Sequence, residues 1–431
     1  MMPDQRGLWF GNNPLLQNYA IIYVLKWSFL GITTGIIAGL GVAVFLKLLA
    51  WSIDTWTQVG YYYFFIPVVL MFNSWLVNWL APQVSGGSDK VIAAIHQQNG
   101  FLRLSEVPIK IVATVITIAA GGSAGKEGPA AQIGATLASA WARLLQVSNA
   151  DCRKIAICGL SAGFAGVFGT PVAGAIFGVE VLFVGKILYD TLYPAFVAGL
   201  TGYYICRLAG VSYFYLQVNV QSEFLLIIQA IILGLICGIM AIFFIKTIFW
   251  NQRFFKGLQW SRQVKAFVGG SLLTLIGYVV SPLYLGLGLE LLETGLKGQA
   301  IAGDAFLWKI IATGITLACG GTGGIITPIL VVGAVTGNLY GQLFGTLDIS
   351  VYAVIGMAAL LAGAVNTPMA AVFMAAELFG SDVIPYAAIS CLISYLVSDH
   401  RSVYPSQVIA TGKRPYLCED EGKCVGAAGK H

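Results

Sequence analysis

Gly121-Gly122-Ser123-Ala124-Gly125-Lys126-Glu127-Gly128-Pro129, followed by Gly134-Ala135, is the stretch on which the fold turns, because it occurs twice. Gly320-Gly321-Thr322-Gly323-Gly324-Ile325-Ile326-Thr327-Pro328, followed by Gly333-Ala334, repeats Gly121, Gly122, Gly125, Pro129, Gly134 and Ala135 at a constant displacement of 199 residues. A second match follows in the same order. The run from Gly159 to Glu180, with Thr170-Pro171 inside it, is repeated from Gly356 to Glu377, with Thr367-Pro368, displaced by 197 residues. Glycine-rich segments resemble one another by chance. Two paired prolines, a paired Thr-Pro and a paired Glu at nearly one spacing mark a tandem repeat.

Working outward, the solvent of this repeat is lipid. Of 431 residues, 58% are hydrophobic and only 10% charged, with a mean hydropathy of +0.81. A soluble domain carries about a quarter of its residues as charge. Apolar stretches such as 23–50, 224–249 and 351–374 suit helices crossing a core that takes about 20 apolar residues, and the ~10-residue alternation of a barrel is missing. Other stretches are short, or are broken by Gly and Pro. Breaks of this kind survive in a membrane only where the freed backbone faces protein or water. The expectation is an all-α polytopic membrane protein of two inverted-topology repeats with broken and tilted helices. Residues 21–207 form the first half and 223–416 the second, joined by a connector at 208–222; a segment 1–20 precedes them and a short polar tail 417–431 follows. Residues 1–18 are polar and do not read as a cleavable leader.

The net charge of +5 points to no nucleic-acid partner. Lys246, Arg253, Lys256, Arg262 and Lys265 mark a candidate cytoplasmic loop. Cys158, Cys237, Cys319 and Cys391 lie in apolar runs and read as small hydrophobes, and Cys418 and Cys424 in the tail as free thiols, with a pairing of the two as the alternative. No metal-ligand pattern and no cofactor motif is present.

Interrupted helices present N-termini at mid-membrane, where unpaired N–H groups and the helix dipole favour anions. An ionisable residue at that depth is a functional candidate, which singles out Lys126 and Glu127. Pro129 suits a first helical turn, so Glu127 stands at a helix N-terminus, on what would otherwise be an anion seat. Two readings stay open from the residues alone: a displaceable gate, or a helix-capping Glu exposed to water at a membrane face.

Gly125-Lys126-Glu127-Gly128-Pro129, continued by Gln132-Ile133-Gly134, resembles the signature of the CLC family of chloride channels and proton-coupled chloride antiporters. Gly86-Gly87-Ser88 stands where that family has its first anion loop, Gly324-Ile325-Ile326-Thr327-Pro328 where its backbone amides meet the anion, and Tyr404, ahead of Ser406, where it has a coordinating tyrosine. The resemblance implies that the Ser88 and Tyr404 hydroxyls and the N–H groups of Ile325 and Ile326 bind one anion, each at ~3 Å. It further implies that Glu127 is the gate, with Gly125, Lys126, Gly128, Pro129 and Gly324 supporting the pathway, and that the chain forms homodimers in the plasma membrane of a prokaryote. The chain departs from the family pattern at three places. Asp89-Lys90-Val91 replaces the usual Gly-Ile-Pro after Ser88, Ile326 replaces a common Phe, and Val181 stands where the antiporters carry an inner proton-relay Glu. Glu180 and its repeat mate Glu377 read as a structural pair that satisfies buried N–H groups.

The expected activity is thus transport of a small inorganic anion, chloride first, by a channel or channel-like transporter gated by Glu127. The alternative is a proton-coupled antiporter of chloride or fluoride, since the family's fluoride exporters also lack the inner Glu. A remote rival is an intramembrane hydrolase, because Gly159-Leu160-Ser161-Ala162-Gly163 fits a nucleophile-elbow pattern. The chain holds only three His residues, His96, His400 and His431, to serve such a serine.

Overall fold

The computed structural model describes residues 14–80, 86–218, 220, 224–345, 348–413 and 420–428. The first half runs through α1 (Pro14–Thr57), α2 (Ile66–Leu80), α3 (Gly87–Gln97), α4 (Glu106–Ala119), α5 (Glu127–Leu144), α6 (Asn149–Phe168), α7 (Pro171–Glu180) and α8 (Tyr189–Leu208). The second half answers it helix for helix: α9 (Phe224–Gly257), α10 (Arg262–Val279), α11 (Leu289–Leu296), α12 (Ala305–Cys319), α13 (Ile326–Phe344), α14 (Ile349–Val365), α15 (Pro368–Phe379) and α16 (Ile384–Val397). The chain is an all-α polytopic membrane protein of two inverted-topology repeats. The only strands among the described residues are two-residue ones, β1 (Phe183–Val184) and β2 (Val408–Ile409), paired in parallel.

The local rules that end and start these helices are the same in both halves. Pro171 and Pro368 open α7 and α15 at the first helical position, where a missing N–H costs nothing. α6 ends at Gly169 (φ 76°) and α14 at its mate Asn366 (φ 62°), the two residue types that enter the left-handed region most readily.

Lipid-facing and buried helices are told apart by their surfaces. On α9, Leu225, Ile228, Ile232, Leu235 and Ile239 are all exposed, spaced three and four apart as one stripe, while Leu226, Leu233 and Cys237 on the other face are buried. Such a helix is apolar on both sides because lipid covers one of them. α14, by contrast, is buried from Ser350 to Val365. Among the described residues, four helical spans are long and apolar enough to cross a bilayer by themselves: Ala20–Thr57, Tyr62–Leu80, Phe224–Gly257 and Ile326–Phe344. In the interior, glycines let backbones touch. A Cβ on Gly134 would strike the Gly159 carbonyl, and one on its mate Gly333 would strike that of Gly356, the mate of Gly159.

Reciprocal contacts fix a two-fold relation between the halves. The Ser123 N–H donates to Thr316 Oγ1 (3.0 Å), and the N–H of its mate Thr322 donates to Thr117 Oγ1 (3.1 Å). Glu180 accepts from the N–H groups of Met369 and Ala370 (3.0 and 2.8 Å), and Glu377 from those of Val172 and Ala173 (3.0 and 2.8 Å). When i meets j and the mate of j meets the mate of i, only a two-fold axis relates them. The axis passes where Gly125 and Gly324, themselves mates, exchange N–H···O bonds of 2.8 and 2.6 Å.

The tail returns to the membrane half. The N–H groups of Gly422, Val425 and Gly426 donate to the carbonyls of Ile409, Gln407 and Pro405. Cys424 is a free thiol; Cys418 lies outside the described residues.

Candidate anion pathway

Three helix N-termini converge beside the Gly125–Gly324 pair. A Cβ on Gly128 would meet Gly324 Cα at 2.9 Å, and one on Gly87 would meet Gly128 at 3.6 Å. α3, α5 and α13 therefore start within touching distance, each with glycine at the contact, and all three direct N–H groups and positive dipole ends toward one region.

Glu127 is the first residue of α5 and is 0% exposed. The reading of it as a water-exposed cap is thereby overturned. Its carboxylate does not merely cap its own helix. It reaches across the two-fold to the N-terminus of α13, where Oε1 accepts from the Ile326 N–H at 2.6 Å and Oε2 from Thr327 Oγ1 at 2.5 Å. The N–H groups of Thr327 and of Glu127 itself also face it. One of the amides expected to hold an anion is thus engaged by a carboxylate.

Ser88 and Tyr404 come together although 316 positions separate them. Both are buried, both hydroxyls lack a hydrogen-bond partner, and Tyr404 OH lies close to Ser88. Buried hydroxyls without partners are costly, so two at one place call for a ligand. They open, with Ile325, onto a cavity of about 600 Å³ whose lining includes Lys110, Lys256, Arg262 and Lys265. The last three belong to the basic group noted in the sequence.

The departures from the family pattern also find places. Asp89 accepts from the Ser406 N–H (2.9 Å) and Ser406 Oγ (3.0 Å), and Lys90 pairs with Glu106 at 2.5 Å. Val181 is buried at the end of α7, its carbonyl accepting from Gln407 Nε2 at 2.8 Å. Lys126 stands at the N-cap of α5, and its carbonyl accepts from the Ala130 N–H. Ser161 lies in the interior of α6 rather than on the strand-to-helix elbow a nucleophile needs. His96 is bonded to the Leu182 carbonyl and His400 to the Lys413 N–H; His431 lies outside the described residues.

Sequence reasoning passed over Thr327, Lys110 and Ser406. Thr327 sits inside the repeated motif and was read only as part of it. Lys110 lies in an apolar run, where an ionisable residue is itself a signal, reinforced by its repeat mate Lys309, also fully buried. Nothing in the sequence pairs Ser406 with Asp89.

A family model described as "Voltage gated chloride channel" matches residues 68–399. A "Chloride/fluoride channel protein" of Pseudomonas syringae pv. tomato is 32% identical over 400 residues, covering 91% of this chain and 88% of that protein. A "Voltage-gated ClC-type chloride channel ClcB" of Shigella flexneri is 27% identical, over 70% of this chain and 75% of its own. Among solved structures, that of a CLC-type fluoride/proton antiporter superposes with a TM-score of 0.84 at 28% identity, covering 89% of this chain and 98% of the other. That of a slow cyanobacterial Cl-/H+ antiporter shares the fold, with a TM-score of 0.77 at 22% identity over 86% and 94%. With a family model spanning most of its length and a relative of this identity over nearly all of it, the chain belongs to the CLC family of anion channels and transporters.

Proposed function

We propose that this protein moves chloride along the cavity that ends at Ser88 and Tyr404, with Glu127 as a displaceable gate. The observation that carries the reading is the pair of buried, unpartnered hydroxyls beside a carboxylate that already holds an anion-binding helix N-terminus. Neutral donors suit a transported anion, because a full charge at the seat would bind too tightly to release it quickly. Lys256, Arg262 and Lys265 at the cavity raise the local anion concentration without touching the seat. An anion moving up from Ser88 replaces the Glu127 carboxylate at the Ile326 N–H, an exchange of one negative charge for another. Protonation neutralises the carboxylate and frees the same seat. The apolar Val181 offers no proton ligand on the inner side, which supports a channel or channel-like uniporter. The protein acts as a homodimer in the plasma membrane of a prokaryote.

A second reading, proton-coupled exchange of fluoride, is favoured by the names of two relatives, the chloride/fluoride channel protein and the fluoride/proton antiporter. Purified protein in liposomes separates the two. The first reading expects chloride efflux without uphill proton movement, and slower fluoride. Stoichiometric proton uptake driven by a fluoride gradient would replace it with the second.

A further inference from the structure

The two hydroxyls at the seat sit on segments far apart in the chain, so their separation depends on whatever joins those segments. Tyr404 is held from behind. The Val403 N–H donates to the Ala364 carbonyl at 3.0 Å, and Gln407 Nε2 donates to the carbonyls of Val181 and Val365, both at 2.8 Å. None of these bonds reaches the Ser88 side. Ser88 lies in the first turn of α3, which is tied to α4 by the ion pair of Lys90 with Glu106. Asp89 links the two segments directly. Its two oxygens take the N–H and the Oγ of Ser406 at 2.9 and 3.0 Å, one residue along from Ser88 and two from Tyr404.

Asp89 is also a carboxylate lining a cavity meant for anions. On charge alone it is misplaced there, since it repels what the cavity must hold. Its position in the first turn of α3 and its two donors from Ser406 offset that penalty. The family pattern named above has glycine at this position, which can make no such link.

We infer that Asp89 is a specificity-determining positioning residue: by clamping Ser406 it fixes the gap between the Ser88 and Tyr404 hydroxyls and so sets the size of anion that fits. This rests on the proposal that those hydroxyls bind the transported anion. With the clamp in place the gap cannot widen for a larger ion without breaking two charge-assisted bonds. With it removed, the Tyr404 segment is still anchored from behind, the site persists, and its width relaxes to suit whichever anion occupies it.

The test is a series of efflux rates for fluoride, chloride, bromide and nitrate from proteoliposomes holding the full chain. Asp89→Ala is expected to move the nitrate-to-chloride ratio toward unity by roughly threefold to tenfold, the scale set by one or two hydrogen bonds. Asp89→Asn, which keeps one acceptor oxygen, should move it less. Ser406→Ala, which loses only the hydroxyl bond, should also move it less, and it carries the test should Asp89→Ala not fold. Asp89→Ala with Ser406→Ala should match Asp89→Ala alone, because one link cannot be broken twice. Equal scaling of all four rates with unchanged ratios would overturn the clamp and leave Asp89 a charge effect. Ser88→Ala and Tyr404→Phe distinguish the two levels of failure. If they shift the ratios and Asp89→Ala does not, the clamp alone is wrong. If they leave the ratios unchanged, the anion seat itself is wrong and the clamp falls with it.

Discussion

The N-termini of α5 and α13 are copies of one motif, and they do opposite things. Gly125-Lys126-Glu127-Gly128-Pro129 delivers a carboxylate; Gly324-Ile325-Ile326-Thr327-Pro328 delivers the N–H and the hydroxyl that receive it. The first glycine and the proline still match, so the backbones remain related by the two-fold, and the difference lies in the side chains at the second, third and fourth positions. The N-termini of α7 and α15 show the other outcome of duplication. There Glu180 and Glu377 each cap the opposite half with the same two bonds at the same distances. Where the halves kept their symmetry, the contact serves the packing of the halves. Where they diverged, one half became an acid and the other its receptor, which is what a gate on an anion site requires.

The strongest way to break this comparison is to remove the carboxylate. Glu127→Ala leaves the α13 N-terminus unoccupied. Two charge-assisted hydrogen bonds, worth about 1.5–3 kcal/mol each in net terms, then no longer compete with the anion. Chloride efflux should rise by roughly a hundredfold at neutral pH, and its pH dependence should vanish. In the wild type the flux should climb as pH falls, because protonation releases the carboxylate. Glu127→Gln should resemble the wild type at low pH at every pH. A variant with unchanged rate and unchanged pH profile would show that the carboxylate is structural.

The symmetric pair supplies the converse test. Glu180→Ala and Glu377→Ala each strip two N–H groups, at the starts of α15 and α7, of their acceptor. A buried N–H left unpaired costs about 1–3 kcal/mol, and these groups are buried or half-buried, so both variants should lose stability in detergent, with little change in the halide ratios of whatever protein folds. Thermal unfolding of the two variants side by side is the measurement. Loss of transport in Glu180→Ala with stability intact would move Glu180 from the frame of the protein to its pathway.

How much of this could be read from the chain depends on which distances a sequence encodes. The fold was legible because duplication writes the same pattern twice, at displacements of 199 and 197 residues. The helix-breaking Gly and Pro residues within it mark where backbone must face a cavity. Ser88, Glu127 and Tyr404 were legible through motifs. The direction of Glu127 was not, since adjacency in sequence ties it to its own helix, whereas the carboxylate crosses to Ile326 and Thr327 in the other half. The link from Asp89 to Ser406 was invisible for a related reason. It joins residues 317 positions apart, and adjacency in the chain says nothing of the two separate partnerships that Asp89 and Lys90 make. Lys110 was hidden by its neighbours, a single cation in an apolar run that reads as a lipid-facing helix until its burial is seen.

The smallest expected effect asks whether the receptor half contributes more than its backbone. Thr327 donates its hydroxyl to Glu127 Oε2 at 2.5 Å, alongside the Ile326 N–H that any residue would provide. Thr327→Val keeps the shape and removes that one bond. The hydroxyl stabilises the seated, charged carboxylate, although the protonated form recovers part of the loss by donating back to a threonine oxygen. The difference that remains is about 1 kcal/mol, or roughly fivefold in flux at neutral pH. The sign follows from the state the bond favours. A donor to the charged form holds off protonation, so without it the carboxylate takes up its proton at a higher pH, and the rise in flux should begin about 0.7 pH unit earlier as pH is lowered. Thr327→Ser restores the donor and should restore the profile, which a loss of packing would not allow. Efflux measured across pH for the wild type, Thr327→Val and Thr327→Ser decides it. A Val variant that tracks the wild type would mean that the α13 backbone alone receives the gate, and that the hydroxyl in the second copy of the motif has no share in the asymmetry between the halves.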